Sequence, residues 1–150
     1  MRLFIATPVK FLGYSSLKDK LSSYIRGKWV EGWNLHLTHK FIGDDDACKY
    51  KIDLNLPKEE INVNGIGVFN NILYLKANSK NINYVANKFN NNRFFPHITL
   101  CRIKEYKDKD KFFQELKNIK VDFKIPFEVY LYNSTLTKKG PIYEKIFKYK

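Results

Sequence analysis

The tripeptide His-x-Thr occurs twice in this chain, as His36-Leu37-Thr38 and His97-Ile98-Thr99, and each copy closes the same succession of elements. Arg2 to Thr7 reads as a strand, Leu17, Leu21, Tyr24 and Ile25 form a helix stripe, and the strand Leu35 to Ile42 carries the first tripeptide. Ile72 to Ala77 then reads as a strand, Ile82, Val85, Ala86 and Phe89 give a second stripe, and His97 to Ile103 carries the second tripeptide. Ser15 or Ser16 can cap the first helix and Gly27 can end it; Asn78 or Ser79 can cap the second, which stops at Asn90 to Asn92. A unit written twice predicts two similar lobes that face each other and bring the tripeptides across a shared cleft.

Side chains two apart on a strand point the same way, so each tripeptide sets an imidazole beside a hydroxyl. Two such strands together make a four-point site for a phosphate. Imidazole, with an unperturbed pKa of about 6.5, lets one copy act as base and the other as acid near neutral pH. Threonine favours strands on its own and histidine can fill a core, but chance rarely spends two of three histidines on one pattern at equivalent points of a repeat. Lys40 shares the strand face of His36 and Thr38 and would add positive charge. His39 points to the opposite face, with Leu37 and Phe41, as a packed or partly exposed side chain.

The formal charge of +12 favours a polyanionic partner, nucleic acid first. With 44% apolar and 16% aromatic residues, a chain of 150 residues can bury one domain's core. The apolar run before Pro8 is too short for a signal peptide and no stretch suits a membrane helix. Cys48 and Cys101 are isolated, without the spacing of a zinc site or a disulfide framework, so the expectation is a reduced cytoplasmic protein without metal or cofactor.

After Gly43-Asp44-Asp45-Asp46, the segments Lys51 to Leu56 and Ile61 to Phe69 read as strands, with a turn or bulge at Gly65 and Gly67. A third helix runs from about Asp108 to Asn118. Ile125 to Tyr132 and Ile142 to Tyr149 read as strands joined through a lysine-bearing turn at Gly140-Pro141. The fold class is α+β with mainly antiparallel pairing, in a single domain over residues 1–150.

Three segments carry a family resemblance: Trp29-Val30 through Asn34 to Gly43, then Phe95-Pro96-His97-Ile98-Thr99-Leu100-Cys101-Arg102, then Ser134-Thr135-Leu136 through Gly140-Pro141-Ile142-Tyr143. In this order they resemble the RNA 2′,3′-cyclic phosphodiesterases of the 2H phosphoesterase superfamily, also called 2′-5′ RNA ligases. The resemblance implies a duplicated, two-lobed LigT-like fold whose sheets line a central cleft, helices outside, with no metal. It implies hydrolysis of a terminal 2′,3′-cyclic phosphate on RNA to a 2′-phosphate by His36 and His97, with Thr38, Thr99 and Arg102 on the substrate; Lys40 joins that set through its strand face alone. The working assignment makes His36 the acid for the ribose 3′-oxygen and His97 the base for water; the sequence leaves the two interchangeable. Two imidazoles so divided predict a bell-shaped pH profile.

Three departures matter. His39 stands where relatives usually have Leu, the helix usual after the first motif is shortened over Asp44 to Pro57, and strict alternation from His97 aims Arg102 away from the cleft unless a bulge or the strand's end turns it. Aromatic candidates for base stacking are Tyr14, Trp33, Phe94, Tyr132 and Tyr143. Reverse 2′-5′ ligation is a secondary activity of the same site. The rivals are a basic RNA-binding module without turnover, and a 2H phosphodiesterase for 2′-5′-linked oligonucleotides or a small cyclic-phosphate metabolite. No feature demands an oligomer, so a monomer is expected.

Overall fold

In the computed structural model, which describes Met1 to Lys150, the elements in chain order are β1 (Arg2–Pro8), α1 (Tyr14–Leu21), β2 (Ile25–Trp29), β3 (His36–Asp44), β4 (Glu60–Phe69), β5 (Ile72–Asn78), α2 (Tyr84–Lys88), β6 (His97–Tyr106), α3 (Lys109–Asn118), β7 (Asp122–Pro126), β8 (Tyr130–Thr137) and β9 (Gly140–Lys148). All strand pairs are antiparallel, and the sheet runs β7-β4-β5-β6-β3-β1-β8-β9 with β2 added on β6. Its two four-stranded halves meet at one residue pair, Leu37 opposite Ile98. These are the middle residues of the two tripeptides, and both are fully buried. The antiparallel register therefore sets His36 beside Thr99 and Thr38 beside His97, about a local twofold axis.

The helices cross over this axis. Tyr14 of α1 donates its hydroxyl to Val30 O at 2.6 Å and Leu100 O at 3.1 Å, which ties the first repeat's helix behind the second repeat's strand. Beyond α2, Asn91 Nδ2 donates to His39 O at 2.8 Å, which ties the second repeat's helix behind β3. One apolar cluster runs through both halves, including Leu3, Ile5, Leu37, Leu73, Leu75, Ile98 and Leu100. No helix is long and apolar enough to cross a membrane.

Several boundaries differ from the sequence expectation. Helix α1 ends at Leu21, and Ile25 already begins β2, so Gly27 lies inside a strand. A Cβ there would come 2.3 Å from Arg102 O, so this close approach of β2 to β6, not a helix end, is what requires glycine. Gly13, without a side-chain bond, takes the cap position of α1, leaving Ser15 and Ser16 inside the first turn. Helix α2 is five residues long and starts after Asn83, while Asn78 belongs to β5. Asn90 at φ 58 closes it, as expected. Lys51 to Leu56 form no strand; Leu54 is buried there and its N–H donates to Lys150 O at 3.2 Å. Ile125 to Tyr132 divides into the end of β7 and the start of β8, because these strands lie in opposite halves of the sheet and the chain must cross between them.

Candidate active site

Each motif histidine is oriented by the backbone just before it. His36 Nδ1 lies 2.7 Å from Asn34 O, and His97 Nδ1 lies 2.7 Å from Phe95 O. A carbonyl only accepts, so Nδ1 carries the proton in both rings and Nε2 is left for chemistry. Both rings, with Thr38 and Thr99, line one cavity of about 830 Å³. Asn34 also donates Nδ2 to Pro141 O at 3.0 Å, joining the turn between β8 and β9 to the segment that aims His36.

Beyond each Thr the strand carries an extra residue. Ile5 pairs with Lys40 but Ala6 with Thr38, which leaves His39 unpaired in β3; Leu73 pairs with Cys101 but Tyr74 with Thr99, which leaves Leu100 unpaired in β6. Both bulges fall three residues after the motif histidine, and a bulge inverts the alternation that follows. Arg102 therefore returns to the cleft and lines the cavity. By the same shift Phe41 lines the cavity and is 67% exposed, which corrects its expected place behind the strand. Lys40 is displaced with it: it does not line the cavity, and the shared face expected for it ends at the bulge.

His39 lies behind β3, fully buried, with Nε2 2.7 Å from Thr7 Oγ1. Burial pushes its pKa down to about 3. The His36 pKa is also lowered, chiefly by burial and further by the charge of His97, against the Asn34 carbonyl that raises it. Of the aromatic candidates, Trp33, Phe94 and Tyr143 line the cavity, Trp33 at 81% exposure. Tyr14 and Tyr132 are core residues.

The cavity wall also carries Lys28, Arg93 and Lys139, which with Arg102 face a single carboxylate, Glu31. None of the three ion pairs in the molecule involves these cations. Sequence reasoning missed them, along with Phe41, Asn34 and Phe95; for Asn34 and Phe95, the shared position two residues before each histidine was the available signal. No group of three or more His, Cys, Asp or Glu is placed to hold a metal ion. A site with two free imidazole nitrogens, two hydroxyls, two guanidinium groups and an aromatic wall suits acid and base chemistry on a phosphate ester.

No family model matches the sequence. Among curated proteins, the chain is 32% identical to the RNA 2′,3′-cyclic phosphodiesterase of Methanocaldococcus jannaschii over 175 positions, covering 97% of this chain and 98% of the relative. Those 175 positions exceed the 150 residues here, so the relative carries stretches without counterpart. The protein of the same name from Methanothermobacter thermautotrophicus is 32% identical, with 86% of this chain and 85% of the relative covered. The fold is shared with the Thermus thermophilus protein TT0787, at TM-score 0.72 and 20% identity over 99% of this chain and 97% of that one. It is shared too with Escherichia coli LigT complexed with phosphate, at TM-score 0.68 and 20% identity over 99% and 95%.

Proposed function

The chain belongs to the RNA 2′,3′-cyclic phosphodiesterase family, and we propose that its cleft opens a terminal 2′,3′-cyclic phosphate on RNA to a 2′-phosphate. The observation that carries this reading is the matched pair of imidazoles, each with Nδ1 held by a carbonyl and Nε2 free in one cavity. In the reaction, a water oxygen bonds to phosphorus as the bond from phosphorus to the 3′-oxygen breaks. His97 Nε2 takes the water's proton and His36 Nε2 gives one to the departing 3′-oxygen, so the pair is reset by exchanging a proton with solvent. Thr38, Thr99 and the Arg102 guanidinium hold the non-bridging oxygens, where charge grows in the transition state.

Burial and His97 disfavour the imidazolium at His36 in the free protein, so His36 gains its proton as the anionic phosphate enters between the rings. Phe41 and Trp33, exposed on the cavity wall, offer stacking surfaces to the terminal base. No step calls for a metal, the protein acts as a monomer, and joining a cyclic end to a 5′-hydroxyl is the same chemistry run backwards.

The test is incubation with a short RNA ending in a 2′,3′-cyclic phosphate, chelator present, followed by identification of the terminal phosphate. A 2′-phosphate product is expected. Tight RNA binding without turnover would overturn the enzyme reading and leave a binding module.

A further inference from the structure

The second half-sheet presents an aromatic surface beyond the catalytic cavity. Phe95 lies with its ring centroid 5.6 Å from that of His97, Tyr74 lies 5.6 Å from Phe95, and Phe69, at the tip of the turn between β4 and β5, lies 6.4 Å from Phe95. Phe69 is 63% exposed and Phe95 55%. The surface is built into the strands. Asn70 and Asn71 turn the chain with φ values of 48 and 60 and hold Phe69 at the tip. Gly67 leaves room for Tyr74 to lie over β4, since a Cβ there would come 3.2 Å from its hydroxyl.

On the corresponding face of the first half-sheet the exposed aromatic is Phe41, which stacks on Phe4 at 6.1 Å and lines the cavity itself. There Phe4 and Tyr132 stack on each other at 5.0 Å with Tyr143 edge-on at 4.9 Å from Phe4, and Phe4 and Tyr132 are buried. The twofold relation makes this contrast informative: beyond the cavity, the face is filled by its own packed aromatics in the first half and left open in the second. The open face is continuous with the cavity through Phe95. It is flanked by cations, with Lys76 paired opposite His97 and Arg102 opposite Ile72.

Resting on the reading given above for the cleft, we infer that the Phe95 to Phe69 surface is a second nucleobase subsite, which takes the nucleotide on the 5′ side of the cyclic-phosphate end of single-stranded RNA. Bases of any sequence stack on exposed aromatic rings, and the flanking cations suit the connecting phosphate. The cleft then prefers an RNA end over a cyclic mononucleotide.

The experiment compares adenosine 2′,3′-cyclic phosphate with a trinucleotide ending in the same group. The unaltered protein is expected to turn over the trinucleotide with the higher kcat/KM. Phe69→Ala should lower that value about tenfold, mainly through KM, and leave the mononucleotide unaffected, while Phe69→Trp restores it. Phe69 is exposed at a turn, so its truncation leaves the core intact. A trinucleotide lacking its penultimate base should show the same loss and no further response to Phe69→Ala. An equal effect of Phe69→Ala on both substrates, or on neither, would overturn the subsite while leaving the cleft's activity standing. Failure of the unaltered protein to turn over either substrate would instead overturn the phosphodiesterase reading, and the subsite with it.

Discussion

His39 is the residue whose surroundings most constrain its protonation. Its ring lies 5.8 Å from that of Phe94 and 5.7 Å from that of Phe127, Nε2 meets Thr7 Oγ1, and Nδ1 has no partner. Its pKa in the folded chain is held down to about 3 by burial. An unfolded chain binds that proton near pH 6.5, so as pH falls from about 6.5 towards 3 the unfolded state gains a proton the folded state refuses, and stability falls with it, by at most about 1.4 kcal/mol per pH unit. Above pH 6.5 the residue contributes no pH dependence. His39→Leu should therefore melt with a smaller loss between pH 7.5 and 4.5 than the unaltered protein; equal losses would show that His39 titrates normally. At this scale the sequence placed His36, Thr38, His97 and Thr99 together because the alternation they rely on spans only two residues. Phe41 and Lys40 lie past the bulge in β3, where that alternation inverts and no side chain announces the extra residue; Arg102 lies past the bulge in β6, and only the family resemblance pointed it to the cleft.

Among the elements, β2 is the one the helix pattern concealed. Tyr24 and Ile25 continue the spacing of Leu17 and Leu21, so the stripe alone does not mark the stop at Leu21. What decides it is tertiary: β2 pairs antiparallel with β6 along its length, with one register shift between Arg26 and Gly27 and with Lys28 opposite Arg102 and Trp29 opposite Cys101. At the register shift, Gly27 lets β2 lie where a Cβ would come 2.3 Å from Arg102 O. Gly27→Ala has to push β2 away from the Arg102 carbonyl, and overpacking of this kind costs about 2 kcal/mol. The expected outcome is a lower melting temperature together with reduced kcat/KM, because Arg102 moves with its strand. Unchanged melting and unchanged turnover would mean that the two strands separate freely and that Arg102 is positioned from elsewhere. The β3 to β4 connection was legible in part: the missing stripe over Asp44 to Pro57 matches a segment whose one helical turn is the 3₁₀ turn at Ala47–Tyr50, but the apolar residues of Lys51 to Leu56 read as a strand and instead pack Leu54 into the core without pairing.

Across the whole molecule, the two-lobed plan followed from the duplicated unit, whereas the crossing of each helix behind the opposite half and the Asn34 to Pro141 bond did not, because those contacts join residues as much as 107 positions apart and leave no local period. The charge of +12 and the cations around the cleft predict a substrate-dependent salt effect. With an RNA substrate, kcat/KM should fall linearly with salt on logarithmic axes as phosphate contacts release counterions, while a cyclic mononucleotide responds weakly. Parallel salt responses for the two would place the basic surface outside substrate binding.

If His36 and His97 act as one unit across the twofold axis, neither is useful without the other. The direct measurement is kcat on cyclic-phosphate RNA for His36→Ala, His97→Ala and the double variant. Each single change should cost roughly 10³-fold or more, and the double should lose no more than the worse single, as groups serving one proton-transfer event do. Near-full activity in either single variant, or losses that multiply in the double, would contradict it.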